Sequence, residues 1–318
     1  MKISRTGTLL AILFAIITFR FLRRPSLKRY RNSQLSASSR PQPVTVRFLG
    51  VSTIVFDDGT TAIMTDGFLS RPPLRRLIFE RLVPDLKRIR ASLAKANVGS
   101  LAAVLVTHSH YDHALDSATV ARATSAELIG STSTANIARG EHFPEDRIRI
   151  VRSGEVITFG DFKVTVFQTP HSPKPRYPGT IHKTLRVPAK VSDYREGGNY
   201  SYLIEHPLHR FLVVPSANYV PRAFEDVEVH TVFLSIALLS KQSEKFVSEY
   251  WAETVLGTRA KLVVPIHWDD FSVPLCSPLK AMPRFADDID KAMKVLTALA
   301  QRDGIAVELP TAFDPMRL

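Results

Sequence analysis

The chain has 318 residues, 45% hydrophobic and 23% charged, with a single cysteine, Cys276. That composition is globular, carries enough apolar material for a sizeable core, and excludes an intrachain disulfide framework. The net charge of +12 is concentrated at one end: ten Lys and Arg and no acid precede Asp57, and the remainder holds 32 basic against 30 acidic residues, so no nucleic-acid partner is expected.

In chain order, the first element is the apolar run "TLLAILFAIITF", residues 8–19, extended by Phe21 and Leu22 past Arg20. Three readings of it stand. A single-pass membrane anchor over residues 3–22 is favoured, with Arg20 reaching back to the interface. A signal peptide would need a small-residue cleavage site close behind the run, which is missing; a mitochondrial presequence would suit the Arg- and Ser-rich, acid-free composition. More positive charge follows the run than precedes it, which places the remaining chain on the cytosolic side of a membrane. A disordered-looking basic linker then leads to residue 43, and the globular domain is assigned to residues 44–318.

From Val44 the pattern changes. "VTVRFLG" and "STIVFDDGTTAIMTD" read as strands joined by a turn at Asp58-Gly59. Residues 74–96 carry helix formers around Pro84, which predicts two short helices. "SLAAVLVT" is fully apolar, as a strand covered on both faces requires, and "LDSATVARATSA" reads as a helix. Further strands are predicted at "GDFKVTVFQTP", "YSYLIEHP", "HRFLVVPS", "VEVHTVFLS" and "AKLVVPIH", and helices at 243–256 and 286–302. These elements make a layered α/β body without solenoid repeats.

The richest stretch is "THSHYDHALD", residues 107–116, directly after the apolar strand. His108 and His110 are two apart, so in extended backbone they point the same way. Asp112 and His113 follow as the chain turns into the helix. Imidazole nitrogens and a carboxylate launched from one buried strand suit borderline divalent metals, and two adjacent cations can be served from such a loop.

"HSHYDH" resembles the His-x-His-x-Asp-His motif of the metallo-β-lactamase superfamily of hydrolases, and the likeness runs from about Val46 to the C-terminus. The resemblance implies an α/β fold, the αββα sandwich of two mixed β-sheets packed face to face with helices outside. It implies further ligands in order: His171 in "VFQTPHSP" and His267 in "KLVVPIHWDDF". One ion would then be held by His108, His110 and His171, and a second by Asp112, His113 and His267. The family's metal-bridging aspartate is replaced by Ser216 in "FLVVPSANY", so the site loses a negative charge; Asp269 or Asp270 could compensate, or serve as a solvated carboxylate. Asp66 in "IMTDGFLSR" would accept a hydrogen bond from a ligand imidazole and fix its tautomer, or simply form a turn before Gly67.

The implied cofactor is one or two divalent ions, zinc first and manganese as the alternative. The implied activity is hydrolysis of an ester-type bond by activated water, with Asp112 orienting the nucleophile as well as binding metal. No G-x-S-x-G elbow, P-loop or dinucleotide fingerprint competes. The contexts "THSHYDHALD" and "TDGFLSRPP" look most like the branch holding ascorbate-phosphate lactonases and the phospholipase D that hydrolyses N-acyl phosphatidylethanolamine. A small molecule or lipid phosphodiester, or a lactone, is the expected substrate. The competing reading is a catalytically weak, membrane-tethered protein that keeps a metal for interaction. In the basic, proline-rich 171–179 stretch and at Tyr194 and Arg195, contact with a substrate anion is expected.

Overall fold

The computed structural model describes residues 23–38, 42–275 and 278–318. Two strand-rich halves follow one another along it. In the first, β1 (Thr45–Phe48), β2 (Ile54–Asp57) and β3 (Ala62–Thr65) are antiparallel, while β4 (Ala103–Leu105), β5 (Glu127–Gly130) and β6 (Ile148–Ile150) continue parallel to β3. In the second, β7 (Val156–Phe159), β8 (Phe162–Thr169), β9 (Asn199–His206) and β10 (His209–Val214) are antiparallel, while β11 (Thr231–Ser235), β12 (Leu262–Ile266) and β13 (Ala306–Val307) run parallel to β10. With β14 (Pro315–Met316) on the edge of the first, each mixed sheet has seven strands, ordered β14-β1-β2-β3-β4-β5-β6 and β13-β12-β11-β10-β9-β8-β7. This is the α/β sandwich expected from the motif.

The core lies between the sheets. Phe56 of β2 meets Phe211 of β10 and Phe233 of β11, with ring centroids 5.0 and 5.7 Å apart, and burial of such rings supplies much of the favourable free energy. Polar stitches also cross the gap: the Tyr202 hydroxyl donates to Val106 O (2.8 Å) and Tyr200 N donates to Thr107 O (2.8 Å). They fasten β9 to the residues that run from β4 into the histidine loop.

Helices begin where side chains satisfy their free amides. Asp85 accepts from Arg88 N at the start of Leu86–Lys95, Ser131 from Thr134 N before Thr132–Gly140, and Ser243 from Phe246 N before Glu244–Trp251. The last helix, Ile289–Asp303, buries Ile289, Ala292, Met293, Leu296, Leu299 and Ala300 and turns polar on its other face.

The basic segment after residue 22 is ordered against the body. A 3-10 turn over Leu27–Ser33 precedes Leu35, which is 4% exposed. Leu35 N donates to Leu309 O (2.9 Å), Leu309 N to Ser33 O (2.7 Å) and Arg317 N to Ser36 O (3.1 Å). Tyr30 donates to Asp290 (2.7 Å), and Arg24 pairs with Asp270 and donates to Ala281 O. Residues 23–38 therefore act as a strap over the C-terminal part of the sandwich.

The membrane-anchored location needs correction. The anchor assigned to residues 3–22, and the mitochondrial reading of the same segment, lie outside the described residues. Among the described residues no helix is long and apolar enough to cross a membrane; the last helix has 15 residues and carries charge along one face, whereas a span needs about 20 apolar residues.

The strap's contribution is measurable. Leu35→Ala is expected to lower unfolding free energy by about 2–4 kcal/mol, the usual cost of an emptied leucine site, read from denaturant unfolding; an unchanged midpoint would show that the strap does not pack on the body.

Candidate metal centre

Every predicted ligand leaves the carboxyl end of a strand. Asp66 follows β3, His108–His113 follow β4, His171 follows β8, Ser216 follows β10 and His267 follows β12. β3 and β4 are parallel, and β8, β10 and β12 point the same way through their shared pairings, so within each sheet these ends share one edge. Such edges are where α/β proteins build sites.

There the donor atoms gather in two groups, His108 with His110 and His171, and Asp112 with His113 and His267, each within 4.8 Å. The groups adjoin: the His108 and His113 ring centroids are 3.7 Å apart. His110 is extended (φ −62°, ψ 154°) and caps the short helix Tyr111–Ala114, which turns Asp112 and His113 inward.

Hydrogen-bond partners assign the tautomers. Thr107 Oγ1 gives its proton to Asp66 (3.1 Å) and so accepts from His108 Nδ1 (3.3 Å), which leaves His108 Nε2 bare. His110 Nε2 donates to Tyr177 O (3.2 Å), which leaves Nδ1 bare and 3.1 Å from His108 Nε2. His171 Nδ1 donates to Ser172 O (3.2 Å). His113 Nδ1 donates to Asp66 Oδ2 (2.8 Å), so its bare Nε2 faces His267 Nε2 at 3.2 Å. His267 Nδ1 is buried without a partner. Lone pairs aimed at one another, with a stranded ring nitrogen beside them, are costly unless a cation lies between them. The donor set, five imidazoles and one carboxylate, is the chemistry a borderline divalent ion takes.

Electrostatics agree. Burial, reinforced by the neighbouring imidazoles, pushes His108 well below the ordinary histidine range, and burial lowers His110 as well. Burial and His110 take His171 down to about 3; burial and His113 take His267 down to about 4. Burial opposes ionisation of Asp112, but His113, His267 and His110 outweigh it and hold its carboxyl below the usual value. These are the protonation states that bind metal. His113 is the exception: burial lowers it, but Asp66 and Asp112 outweigh burial and raise it.

Asp66 is fully buried, in the left-handed region (φ 55°), and besides His113 it accepts from Ser52 Oγ (2.5 Å) and Thr107 N (2.7 Å). It orients a ligand imidazole. Asp269 does not face the donor groups; it pairs with the buried Arg71 (2.6 Å) and accepts from Val51 N (2.8 Å). Asp270 is likewise engaged, with Arg24 and Ser272. Ser216 is buried after β10, and among the described residues no carboxylate joins the two donor groups. Tyr194 is fully buried and unavailable to a substrate, while Arg195 is exposed and donates to Pro178 O (3.3 Å). Ser52, Thr107 and the Tyr177 carbonyl were not anticipated; all three set the orientation of ligand rings.

A third grouping, Asp58, Asp161 and His206, also lies within 4.8 Å. His206 Nδ1 accepts from Leu208 N (3.3 Å), so Nε2 keeps its proton and faces Asp58 Oδ2 at 3.7 Å. That is an imidazole–carboxylate pair, not a set of free lone pairs.

The sequence profile of the Beta-lactamase superfamily domain matches residues 63–268, more than half of the chain. The chain belongs to the beta-lactamase superfamily. Among curated proteins none matches it in sequence. Solved structures resemble it in fold. A possible metal-dependent hydrolase from Veillonella parvula is 14% identical with a TM-score of 0.54, covering 86% of this chain and 99% of that one. The isothiocyanate hydrolase from Delia radicum gut bacteria is 12% identical with a TM-score of 0.52, covering 86% and 98%. CmlA, a diiron β-hydroxylase from Streptomyces venezuelae, is 13% identical with a TM-score of 0.52, covering 86% of this chain and 53% of that one. Membership of the superfamily and the two donor groups together support a metal-dependent hydrolase that binds a divalent ion.

The depressed histidines carry a pH signature. Folded and metal-free, the chain keeps His171 and His267 neutral down to about 3 and about 4, while the unfolded chain takes up protons near 6.5. The unfolded state binds more protons inside that window, so stability is full above it and is lost as pH falls through it. The chelator-treated protein is expected to melt at progressively lower temperature from about pH 7 to about pH 4.5, with a shallower decline in His267→Gln. Equal slopes would show that His267 is not held neutral.

Proposed function

We propose that this superfamily member hydrolyses an ester-type bond, a phosphodiester of a small molecule or lipid or else a lactone, using zinc, with manganese as the alternative. The observation that carries the reading is the pair of adjoining donor groups, whose ring nitrogens face one another at 3.1 and 3.2 Å. His108, His110 and His171 would hold one ion; Asp112, His113 and His267 would hold the other. A divalent ion there would supply Lewis acidity, lowering the pKa of water toward neutrality and polarising the carbonyl or phosphoryl bond through its oxygen.

The chain's own groups do the rest. Asp112, kept ionised among the imidazoles and 3.6 Å from His267 Nε2, can accept a proton from the attacking water and aim its lone pair. Asp66 keeps the His113 ring from turning by holding its Nδ1–H. An aromatic series runs from the buried Phe68 through the half-buried Tyr111 and Phe271 to His267, with centroid spacings of 6.0, 6.2 and 5.8 Å; the rings of Tyr111 and Phe271 offer an apolar surface beside the donor groups. On the other side the loop from His171 presents exposed Lys174 and Arg176, cations suited to a phosphate or carboxylate. The motif contexts "THSHYDHALD" and "TDGFLSRPP" support a place near the lactonase and phospholipase branch.

The test is direct. The full chain, loaded with zinc and with metal content measured, is expected to cleave bis(p-nitrophenyl) phosphate or a simple lactone. Asp112→Asn should lower kcat by about 100-fold or more, the worth of a positioned base. Metal-loaded protein that cleaves neither these substrates nor a generic thioester overturns the reading.

A further inference from the structure

One buried ion pair has no part in binding metal or substrate. Arg71 is 1% exposed and Asp269 is 0% exposed, and they meet at 2.6 Å. Two buried charges are weak evidence for stability, because desolvation consumes much of their attraction. Their partners indicate a different use. Asp269 spends its second oxygen on Val51 N (2.8 Å), and Val51 O accepts from His267 N (2.8 Å). Arg71 donates to Leu49 O (3.3 Å) and to Asp270 O (3.2 Å), so it ties both ends of this assembly.

The tied element is the turn over residues 49–53, closed by Leu49 N to Thr53 O (2.8 Å) and Thr53 N to Gly50 O (2.9 Å). It touches the Asp112–His113–His267 group twice. Val51 O holds the His267 backbone, and Ser52 Oγ lies 3.0 Å from His113 Nδ1 while donating to Asp66 (2.5 Å). The turn is strained and tightly fitted. Val51 and His267 both sit in the left-handed region, at φ 52° and 60°, a conformation non-glycine residues keep only when the surroundings impose it. Gly50 (φ 86°) leaves room for the pair: a Cβ there would stand 1.8 Å from Arg71 Nη2 and 2.7 Å from Asp269 Oδ2. The turn makes no direct hydrogen bond to His108, His110 or His171; toward His108 it continues only through Ser52, Asp66 and Thr107.

We propose that Arg71 and Asp269 are positioning residues that lock the 49–53 turn and thereby aim His267 and His113 at the second ion, leaving the first ion's hold untouched. The proposal rests on the metal reading above and assigns the pair a specific share of it. Asp269 supplies the carboxylate oxygen that Val51 N meets, and Arg71 holds that carboxylate in place.

The experiment uses the full chain and reads bound zinc per chain at graded free zinc, the visible spectrum of the cobalt-substituted protein, and melting temperature. His267→Ala marks which ion depends on His267. Asp269→Asn and Arg71→Lys are expected to weaken that ion by about 10- to 100-fold, as loss of a ligand's supporting contact does, and to leave the other at wild-type affinity. The double variant Arg71→Met with Asp269→Leu removes both charges together, which a buried pair tolerates. It should fold and melt near wild type yet still lose the His267-dependent ion, a separation that a merely structural pair would not give. If Asp269→Asn fails to fold, the double variant decides alone. Retention of the His267-dependent ion at wild-type affinity in folded variants overturns the positioning role and leaves the metal reading intact. If His267→Ala changes neither zinc content nor cobalt spectrum, the second donor group is not a metal site and the positioning role falls with it.

Discussion

The structure turns on a problem of unpaired lone pairs. Four of the five imidazoles at the strand ends donate one ring N–H to a fixed acceptor, Thr107 Oγ1, Tyr177 O, Ser172 O or Asp66, and their rings gather in the two donor groups. Burial keeps His108, His110, His171 and His267 from relieving this by protonation. A chain that desolvates so many acceptors and points them inward has built a receptor for positive charge.

The sandwich serves that arrangement. His171 and His267 sit two residues and one residue beyond the ends of their strands, and His108 three beyond β4, so ladder hydrogen bonds anchor the chain close behind them; Asp112 and His113 are held instead by the short helix Tyr111–Ala114. The two sheets contribute unequally: the first brings the contiguous motif, and the second brings His171 and His267 from strands far apart in sequence. Their spacing is fixed by the Phe56–Phe211–Phe233 packing and by Tyr202 bridging to Val106. Movement of either sheet by an ångström or so would part the donors, so core packing and site geometry are one constraint.

How much of this was legible follows from what kind of signal each part leaves in a sequence. The histidine motif is local, and its apolar strand is long enough to show burial; the helix after Pro84 and the last helix carry Asp caps and a buried face, while Leu74–Phe79 shows only its helix formers. β5, β6 and β7 and the helix Thr132–Gly140 were not foreseen: strands of three or four residues are too short for alternation to register, and β1 to β4, equally short, stood out only through the longer apolar runs or the Asp-Gly turn around them. Residues 23–38 looked disordered by composition, yet Leu35, Tyr30 and Arg24 find partners beyond position 269 that no local pattern can announce. The roles of Asp66 and Asp269 illustrate the same limit. Both looked like aspartates near a site, and only tertiary contacts separate the one that holds an imidazole from the one that holds a turn.

The single carboxylate among the donor residues bears on what such a site would accept. Among the described residues the two donor groups contribute a single carboxylate, Asp112, since the imidazoles are neutral donors and Asp66 stands behind His113. A pair of divalent ions in such a setting would be under-neutralised by the protein, and a low local dielectric magnifies the deficit. The missing negative charge must come from solvent hydroxide or from the substrate. An anionic substrate would be drawn in more strongly here than at a site already neutralised by a bridging aspartate, and Lys174 and Arg176 at the rim add to that pull. A phosphodiester carries its own negative charge and a lactone ring carries none, so on the proposed reading the charge balance would distinguish the two candidate substrates.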